Sequence, residues 1–291
     1  MGNVINVEFG KDRFESEMMT GTDMASTPTF ADIYDESWNE PVDHRQYCQY
    51  KKRYKDPVEP FRSKEHIQMV ANYLKVTGIY ALRNWLLFLF GINTGLRCSD
   101  IVIRKFKDVF DSNGYVKDYF VVKETKTGKG RKIYINDLLR SALEEYANSL
   151  NGHYDMDAYI FYSRKTTTPH MTVESIRQIL IKAVDATINK EIREYNKAIE
   201  ANGGKDANGN PVKMKREFHV GTHTMRKTFA TFALNSTSQL RVNNPLIPDP
   251  LSVVQSFLNH SSTRDTLRYL GITGEIEESV TLDVGNVYGN L

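Results

Sequence analysis

The segment Thr94-Gly95-Leu96-Arg97-Cys98-Ser99-Asp100 decides how the rest of the chain is read. It reads as a turn at Gly95, after which Ser99 or Asp100 can begin a new helix. Upstream, Tyr80 to Ile92 is apolar nearly all round, with Trp85, Leu86, Leu87, Phe88, Leu89 and Phe90 in succession. That run is too short to cross a bilayer and is interrupted by Arg83 and Asn84, so it predicts a helix buried in a protein core. A helix before it is capped by Ser63, carries Ile67, Val70, Tyr73 and Leu74 at helical spacing, and ends at Gly78.

Downstream, the texture turns β-branched and aromatic: Tyr119-Phe120-Val121-Val122 and Ile133-Tyr134-Ile135 flank the turn-forming Thr127-Gly128-Lys129-Gly130. This predicts a β-hairpin. Asn136 or Asp137 then caps a helix with Leu138, Leu139, Ala142, Leu143, Tyr146, Ala147 and Leu150 on one broad face. Thr172 opens another with Ile176, Ile179, Leu180, Ala183 and Val184. Residues 189–216 fade into charge and into Gly- and Asn-rich turns, and are expected to be an exposed insertion. Three further helices are predicted at about Thr224 to Leu234, Pro250 to Leu258 with Asp249 as cap, and Thr263 to Leu270. Residues 236–250 are expected to form a lengthened loop. The fold class expected is mainly α with a small antiparallel β-sheet.

At 291 residues and 40% hydrophobic content the chain can bury one sizeable core plus a small accessory unit. The opening stretch lacks the layout of a signal peptide and no run is long and apolar enough for a membrane span, so a cytoplasmic protein is expected. Cys48 and Cys98 stand far apart without CxxC spacing, which points to two reduced thiols. The net charge of +2 conceals a split: residues 1–43 carry ten acidic and two basic side chains, net −8, leaving +10 on residues 44–291. A basic body suits a polyanionic partner, because phosphate neutralisation releases counterions. Residues 1–60 are read as an acidic, partly disordered arm. The run Lys51-Lys52-Arg53-Tyr54-Lys55 is an ordinary solvated face that could also lie along a DNA backbone.

Three segments stand out together: Thr94 to Asp100; His223-Thr224-Met225-Arg226-Lys227-Thr228-Phe229-Ala230-Thr231; and Leu258-Asn259-His260, with Tyr269 nine residues after the histidine. In order and type they resemble the tyrosine recombinase, or phage integrase, family over roughly residues 61–270. The resemblance implies an integrase-type catalytic domain in which Arg97, Lys126, His223, Arg226, His260 and Tyr269 are catalytic. Tyr269 would be the nucleophile and Lys126 the hairpin lysine that protonates the leaving group, with Lys123 and Lys129 as nearby rivals. Asp100 would orient an active-site side chain, and Lys123, Lys129 and Arg131 would contact DNA. It also implies double-stranded DNA as partner, a homotetramer assembled on two paired sites, association with the nucleoid when bound, and no cofactor.

The residue types suit that chemistry independently. Attack on a phosphodiester builds negative charge on non-bridging oxygens, and two fork-shaped guanidiniums, always protonated, match those oxygens better than lysines. A phenol titrates near ~10, so Tyr269 must lose its proton during attack, and His223 is a plausible acceptor. A covalent 3′-phosphotyrosine would conserve the bond energy, allowing joining to a second DNA end without ATP or metal. No GxxxxGK[ST] loop and no two-metal acidic cluster is found in the sequence.

Singly, these residues have blander readings. Arg97 and Arg226 could be salt-bridging, His260 a helix C-terminal cap, and Tyr269 a core tyrosine. Their joint order and the spacing from His260 to Tyr269 favour the site. His219 and His223 have HxxxH spacing, but Val220-Gly221-Thr222 argues against a helix there, so no metal is expected. His44, His66, His153 and His170 default to structural roles, and Tyr288 rivals Tyr269 only by type.

Two departures from the family pattern are evident. The first 60 residues are too few for the usual helical DNA-clamping domain, so a minimal arm or a fragment of a longer recombinase is expected. Asn259 replaces a common glycine, tolerable if its backbone is not left-handed. Residues 271–291 are read as a tail packing on a neighbouring protomer. Site-specific recombination of a mobile element is the leading reading. A type IB topoisomerase-like enzyme and a non-catalytic DNA-binding accessory protein are the alternatives.

Overall fold

The computed structural model describes residues 58–151, 153–163, 169–206 and 209–272. The readings made for the arm, the basic run at 51–55 and the tail beyond 272 fall outside the described residues. Helix α1 (Lys64–Val76) starts where Ser63 Oγ accepts the His66 N–H, and α2 (Ala81–Thr94) follows a short turn. Every residue of α2 from Trp85 to Ile92 is buried. It therefore forms the central rod that α1, α5 (Asp137–Ser149) and α8 (Thr224–Asn243) pack against.

The turn at Gly95 ends α2 with a left-handed residue, φ 60°, whose N–H returns to the Gly91 carbonyl. This is a glycine C-cap, and both glycines also admit the neighbouring helix. A Cβ on Gly91 would overlap the Met225 side chain, and one on Gly95 would overlap the Phe229 ring. The Met225 and Phe229 side chains of α8 thus lie directly against the α2 backbone at these two glycines. Short helices α3 (Cys98–Val102) and α4 (Phe106–Val109) lead to the hairpin. Its strands β1 (Tyr119–Lys123) and β2 (Gly130–Tyr134) pair antiparallel, with Phe120 opposite Ile133 and Val122 opposite Arg131. Phe120, Val122 and Ile133 face the core, while Tyr119, Val121 and Tyr134 face solvent.

Helix α5 is capped by Asn136, whose side chain accepts the Leu139 N–H, and α6 (Val173–Ala186) by Thr172, as the sequence predicts. Two segments differ from expectation. Residues 189–216 were expected to be an exposed insertion, yet α7 (Ile188–Ala201) occupies its first half. Ile188 and Ile199 are buried and Ile192 is packed against the core, a sparse seam that the surrounding charge hides. Asn189 adds a reciprocal bond with the Phe218 backbone, Nδ2 to O at 3.3 Å and N–H to Oδ1 at 2.7 Å. The second difference is α8, which continues to Asn243 rather than stopping near Leu234. Thr237 and Ser238 hydroxyls donate to the Ala233 and Leu234 carbonyls, so polar side chains that usually favour loops are absorbed into the helix. The expected lengthened loop is reduced to the residues that join α8 to α9.

Helix α9 (Pro250–Leu258) begins at an Asp249 cap with Pro250 at its first position, and α10 (Thr263–Leu270) at a Ser262 cap. Between them Asn259 is left-handed, φ 52°, and its N–H closes the end of α9. The conformation that would strain a side chain is therefore present, and Asn tolerates it better than other L-residues because its short polar side chain suits local hydrogen bonding. A second, smaller core of Ala230, Val254, Leu258 and Leu270 joins α8, α9 and α10.

Two outcomes follow for stability. Phe61 is fully buried, stacked on Phe218 at 5.2 Å and edge-on to Phe88 at 5.6 Å. Phe61→Ala is expected to lower the unfolding free energy by about 3 kcal/mol in urea titration, and a loss under ~1 kcal/mol would mean that the site collapses to fill the space. Asn259→Ala is expected to cost about 1 kcal/mol while Asn259→Gly costs little or nothing; equal losses in thermal unfolding would refute a backbone origin.

Candidate active site

The site forms where the N-terminal end of α8 meets the Gly95 turn, the end of α9 and the last turn of α10. Arg226, on the first turn of α8, is 2% exposed. Its Nη1 donates to the Gly95 carbonyl and its Nη2 to the Leu258 carbonyl, each at 2.6 Å. One guanidinium thereby ties together all three sequence segments. Five N–H groups are available and two are used, so the remaining three can serve a ligand.

Arg97 lies at the start of α3, where its side chain is 17% exposed, and donates from Nη1 to Glu124 Oε2 at 2.6 Å. Glu124 Oε1 sits 3.9 Å from Arg226 Nη1, so a single buried carboxylate faces both arginines. Burial by itself would raise the Glu124 pKa. Hydrogen bonds from Arg97 and Thr127, with the charges of Arg97 and Arg226, outweigh burial and hold the carboxyl below its ordinary value.

Tyr269 packs between the two histidines, 5.3 Å from the His260 ring and 6.1 Å from the His223 ring, both edge-on. Lys227 lies 5.5 Å above its ring. Tyr269 Oη is buried and makes no well-formed hydrogen bond, although the Arg226 guanidinium faces it closely enough to favour the phenolate. Burial dominates and pushes the phenol pKa well above its ordinary value, so the hydroxyl is protonated at rest. His223 and His260 are both shifted below 6.5, first by burial and then by the surrounding cations Arg226 and Arg97. Both rings are therefore neutral at neutral pH. His260 Nδ1 shares a hydrogen bond with Thr266 Oγ1 at 3.1 Å, one turn before Tyr269 on α10, which fixes the ring's orientation.

The remaining expected residues are placed as follows. Lys126 stands exposed at the hairpin tip and has no hydrogen-bond or ion-pair partner among the described residues; its charge is among those that lower the His223 pKa. Asp100 is fully buried, and Oδ1 accepts the Thr125 N–H at 2.9 Å. It therefore orients the backbone next to Lys126, where a side chain was expected as its partner. Lys123 is exposed on β1, away from the arginines by strand parity. Lys129 lines an open cleft of about 290 Å³ with Ser252, Gln255, Asn259 and His260. Arg131 turns inward: Nη2 donates to the Thr94 carbonyl at 2.6 Å, and Nη1 is buried without a partner. Its pKa falls to about 10, by burial and then by Arg226. His219 donates its backbone N–H to Glu59 Oε1, and no group of three or more metal-ligating side chains occurs among the described residues.

Sequence reading missed Glu124, Lys227 and the inward turn of Arg131. The signal for Glu124 was the alternation of β1, in which Phe120 and Val122 face inward and Glu124 continues their parity.

A sequence model of the phage integrase family matches residues 61–274. The probable integrase/recombinase YoeC of Bacillus subtilis (strain 168) is 32% identical over 234 residues, covering 80% of this chain and 98% of that protein. Among solved structures, the Tn1549 transposon integrase in complex with a circular intermediate DNA is 18% identical with a TM-score of 0.44, covering 74% of this chain and 62% of that one. XerH site-specific recombinase bound to a palindromic difH substrate is 20% identical with a TM-score of 0.45, covering 78% and 53%. This chain thus spans between half and two thirds of those two structures. No helix among the described residues is long and apolar enough to cross a membrane. With the family match extending over most of the chain and a relative of about a third identity matched almost end to end, the chain belongs to the phage integrase family of tyrosine recombinases.

Proposed function

We propose that this chain is a site-specific recombinase that cleaves and rejoins double-stranded DNA through a 3′-phosphotyrosine at Tyr269, in the integration or excision of a mobile element. The observation that carries the reading is the convergence of one buried tyrosine hydroxyl with Arg226, His223 and His260. The scissile phosphate is held by the free N–H groups of Arg97 and Arg226, which stabilise charge on its non-bridging oxygens. Tyr269 Oη attacks phosphorus while its proton passes to neutral His223. The P–O5′ bond breaks, and the 5′ oxygen takes a proton from Lys126 at the hairpin tip. His260, whose ring is held through Nδ1 by Thr266 Oγ1, is the further hydrogen-bonding group for the phosphate. The reverse attack by a 5′ hydroxyl from a second duplex releases Tyr269 and completes the exchange.

In this reading, residues 61–270 perform the chemistry, residues 1–60 are an acidic arm and residues 271–291 pack on a neighbouring protomer. Four copies assemble on two sites. The inward placement of Arg131 supports a share in the phosphate's field, while Lys123 and Lys129, at the hairpin surface, suit backbone contacts.

The test is covalent trapping on nicked suicide duplexes built from DNA flanking the gene. Wild type is expected to yield a denaturation-resistant adduct that Tyr269→Phe abolishes while still binding the same DNA. Binding without any adduct from wild type would refute the assignment. Because the proton acceptor must be neutral and burial holds the His223 pKa below its ordinary 6.5, the acid limb of the second-order rate of adduct formation should be centred below 6.5. An acid limb centred above 6.5 would exclude His223 in that role.

A further inference from the structure

Resting on the assignment of Arg97 and Arg226 as the phosphate clamp, we infer that Glu124 is a positioning residue that locks Arg97 to the hairpin carrying Lys126, so that clamp and proton donor are set as one unit. Glu124 is 1% exposed and follows β1 on its inward parity. Oε2 accepts from Arg97 Nη1 at 2.6 Å and from Thr127 Oγ1 at 2.8 Å, which joins an arginine from α3 to a residue flanking Lys126. The Glu124 backbone closes the same turn: its N–H donates to the Lys129 carbonyl at 3.0 Å and its carbonyl accepts the Gly128 N–H at 2.8 Å. On the other flank, the Thr125 N–H is held by Asp100. Both neighbours of Lys126 are therefore tethered to the arginine side of the site, while the lysine side chain itself makes no hydrogen bond or ion pair among the described residues.

The charges demand such a group. Three guanidiniums, Arg97, Arg226 and Arg131, crowd a largely buried space, and the pKa values of Arg131 and Arg226 are lowered first by burial and then by their guanidinium neighbours. Without an anion they would be driven apart before DNA could supply one. Glu124 is the carboxylate that reaches Arg97 directly and Arg226 at 3.9 Å. Its second oxygen, Oε1, is buried with no hydrogen bond, so the carboxylate is held from one side only and faces the clamp with the other. Arg97 gives it one N–H and keeps four for the phosphate. A carboxylate bound at Nη1 fixes the guanidinium before substrate arrives, so that no further entropy is lost in orienting it.

The experiment compares full-length wild type, Glu124→Gln and Glu124→Asp. The glutamine keeps shape and removes the charge. At saturating suicide duplex, Glu124→Gln is expected to slow first-order adduct formation by about ten-fold or more with DNA affinity nearly unchanged. Glu124→Asp should recover part of the rate. In the DNA-free protein, nitrogen-15 spectra should show the Arg97 Nη groups rotating slowly in wild type and averaged in Glu124→Gln. A wild-type rate in Glu124→Gln would overturn the inference. So would a faster rate, which would make the carboxylate a blocker of the phosphate site, or a matched loss of affinity, rate and thermal stability, which would mark a merely structural group. If wild type itself forms no adduct, the recombinase reading falls, while the Arg97 spectra still decide whether Glu124 holds that side chain.

Discussion

Everything at the site depends on one buried guanidinium. Arg226 spends two N–H groups on the carbonyls of Gly95 and Leu258, and these belong to the two helix ends that present Arg97 and His260. Carbonyls at helix C-termini lack intrahelical partners and carry partial negative charge, so they suit a buried cation that could not otherwise be desolvated. The requirement passes back into the packing. For the Arg226 fork to reach the Gly95 carbonyl, α8 must lie directly on the end of α2, which is why Gly91 and Gly95 leave room for Met225 and Phe229.

Around that anchor the protein keeps a site that is strongly positive yet chemically quiet. Burial disfavours phenolate at Tyr269 more than the nearby arginines favour it, and the same burial keeps both histidines neutral. In the proposed function, a phosphate entering this space would meet preorganised donors, and its negative charge would offset the repulsion among the guanidiniums. Cys98, next to Arg97, does not compete as a nucleophile: burial pushes its thiol up to about 12, and its Sγ rests on the Thr222 carbonyl.

The elements with strong local signals were legible from residues alone. Ser63, Asn136, Thr172 and Asp249 announce their helices because each cap is a contact within one turn of chain. The apolar run of α2 could only be a core helix. What stayed hidden was set by distant partners. Helix α7 is held by three isoleucines and by Asn189 against Phe218, and the far half of α8 by hydroxyls bonding to their own helix, neither of which leaves a clear apolar period. At the site, the catalytic candidates were recognisable as a set. Glu124 was not, because a glutamate at the end of a strand is ordinarily exposed, and only the meeting of α3 with the hairpin makes it a buried partner of Arg97. Asp100 was recognised by position, but its partner is a backbone amide, which sequence does not mark.

The entry of the chain into the fold has a mechanical consequence. Residues 58–61 are stitched to the segment that bears the site: the Glu59 N–H to the His219 carbonyl, the Phe61 N–H to Thr228 Oγ1, and Lys227 Nζ to the Val58 carbonyl at 3.1 Å. Lys227 adjoins Arg226 and overlies the Tyr269 ring. A pull on the chain ahead of Val58 is therefore delivered, within a single side chain's length, to the helix turn that holds the anchor and to the face of the tyrosine. The strap works as a tendon: a displacement of Val58 is felt at the lysine that covers Tyr269.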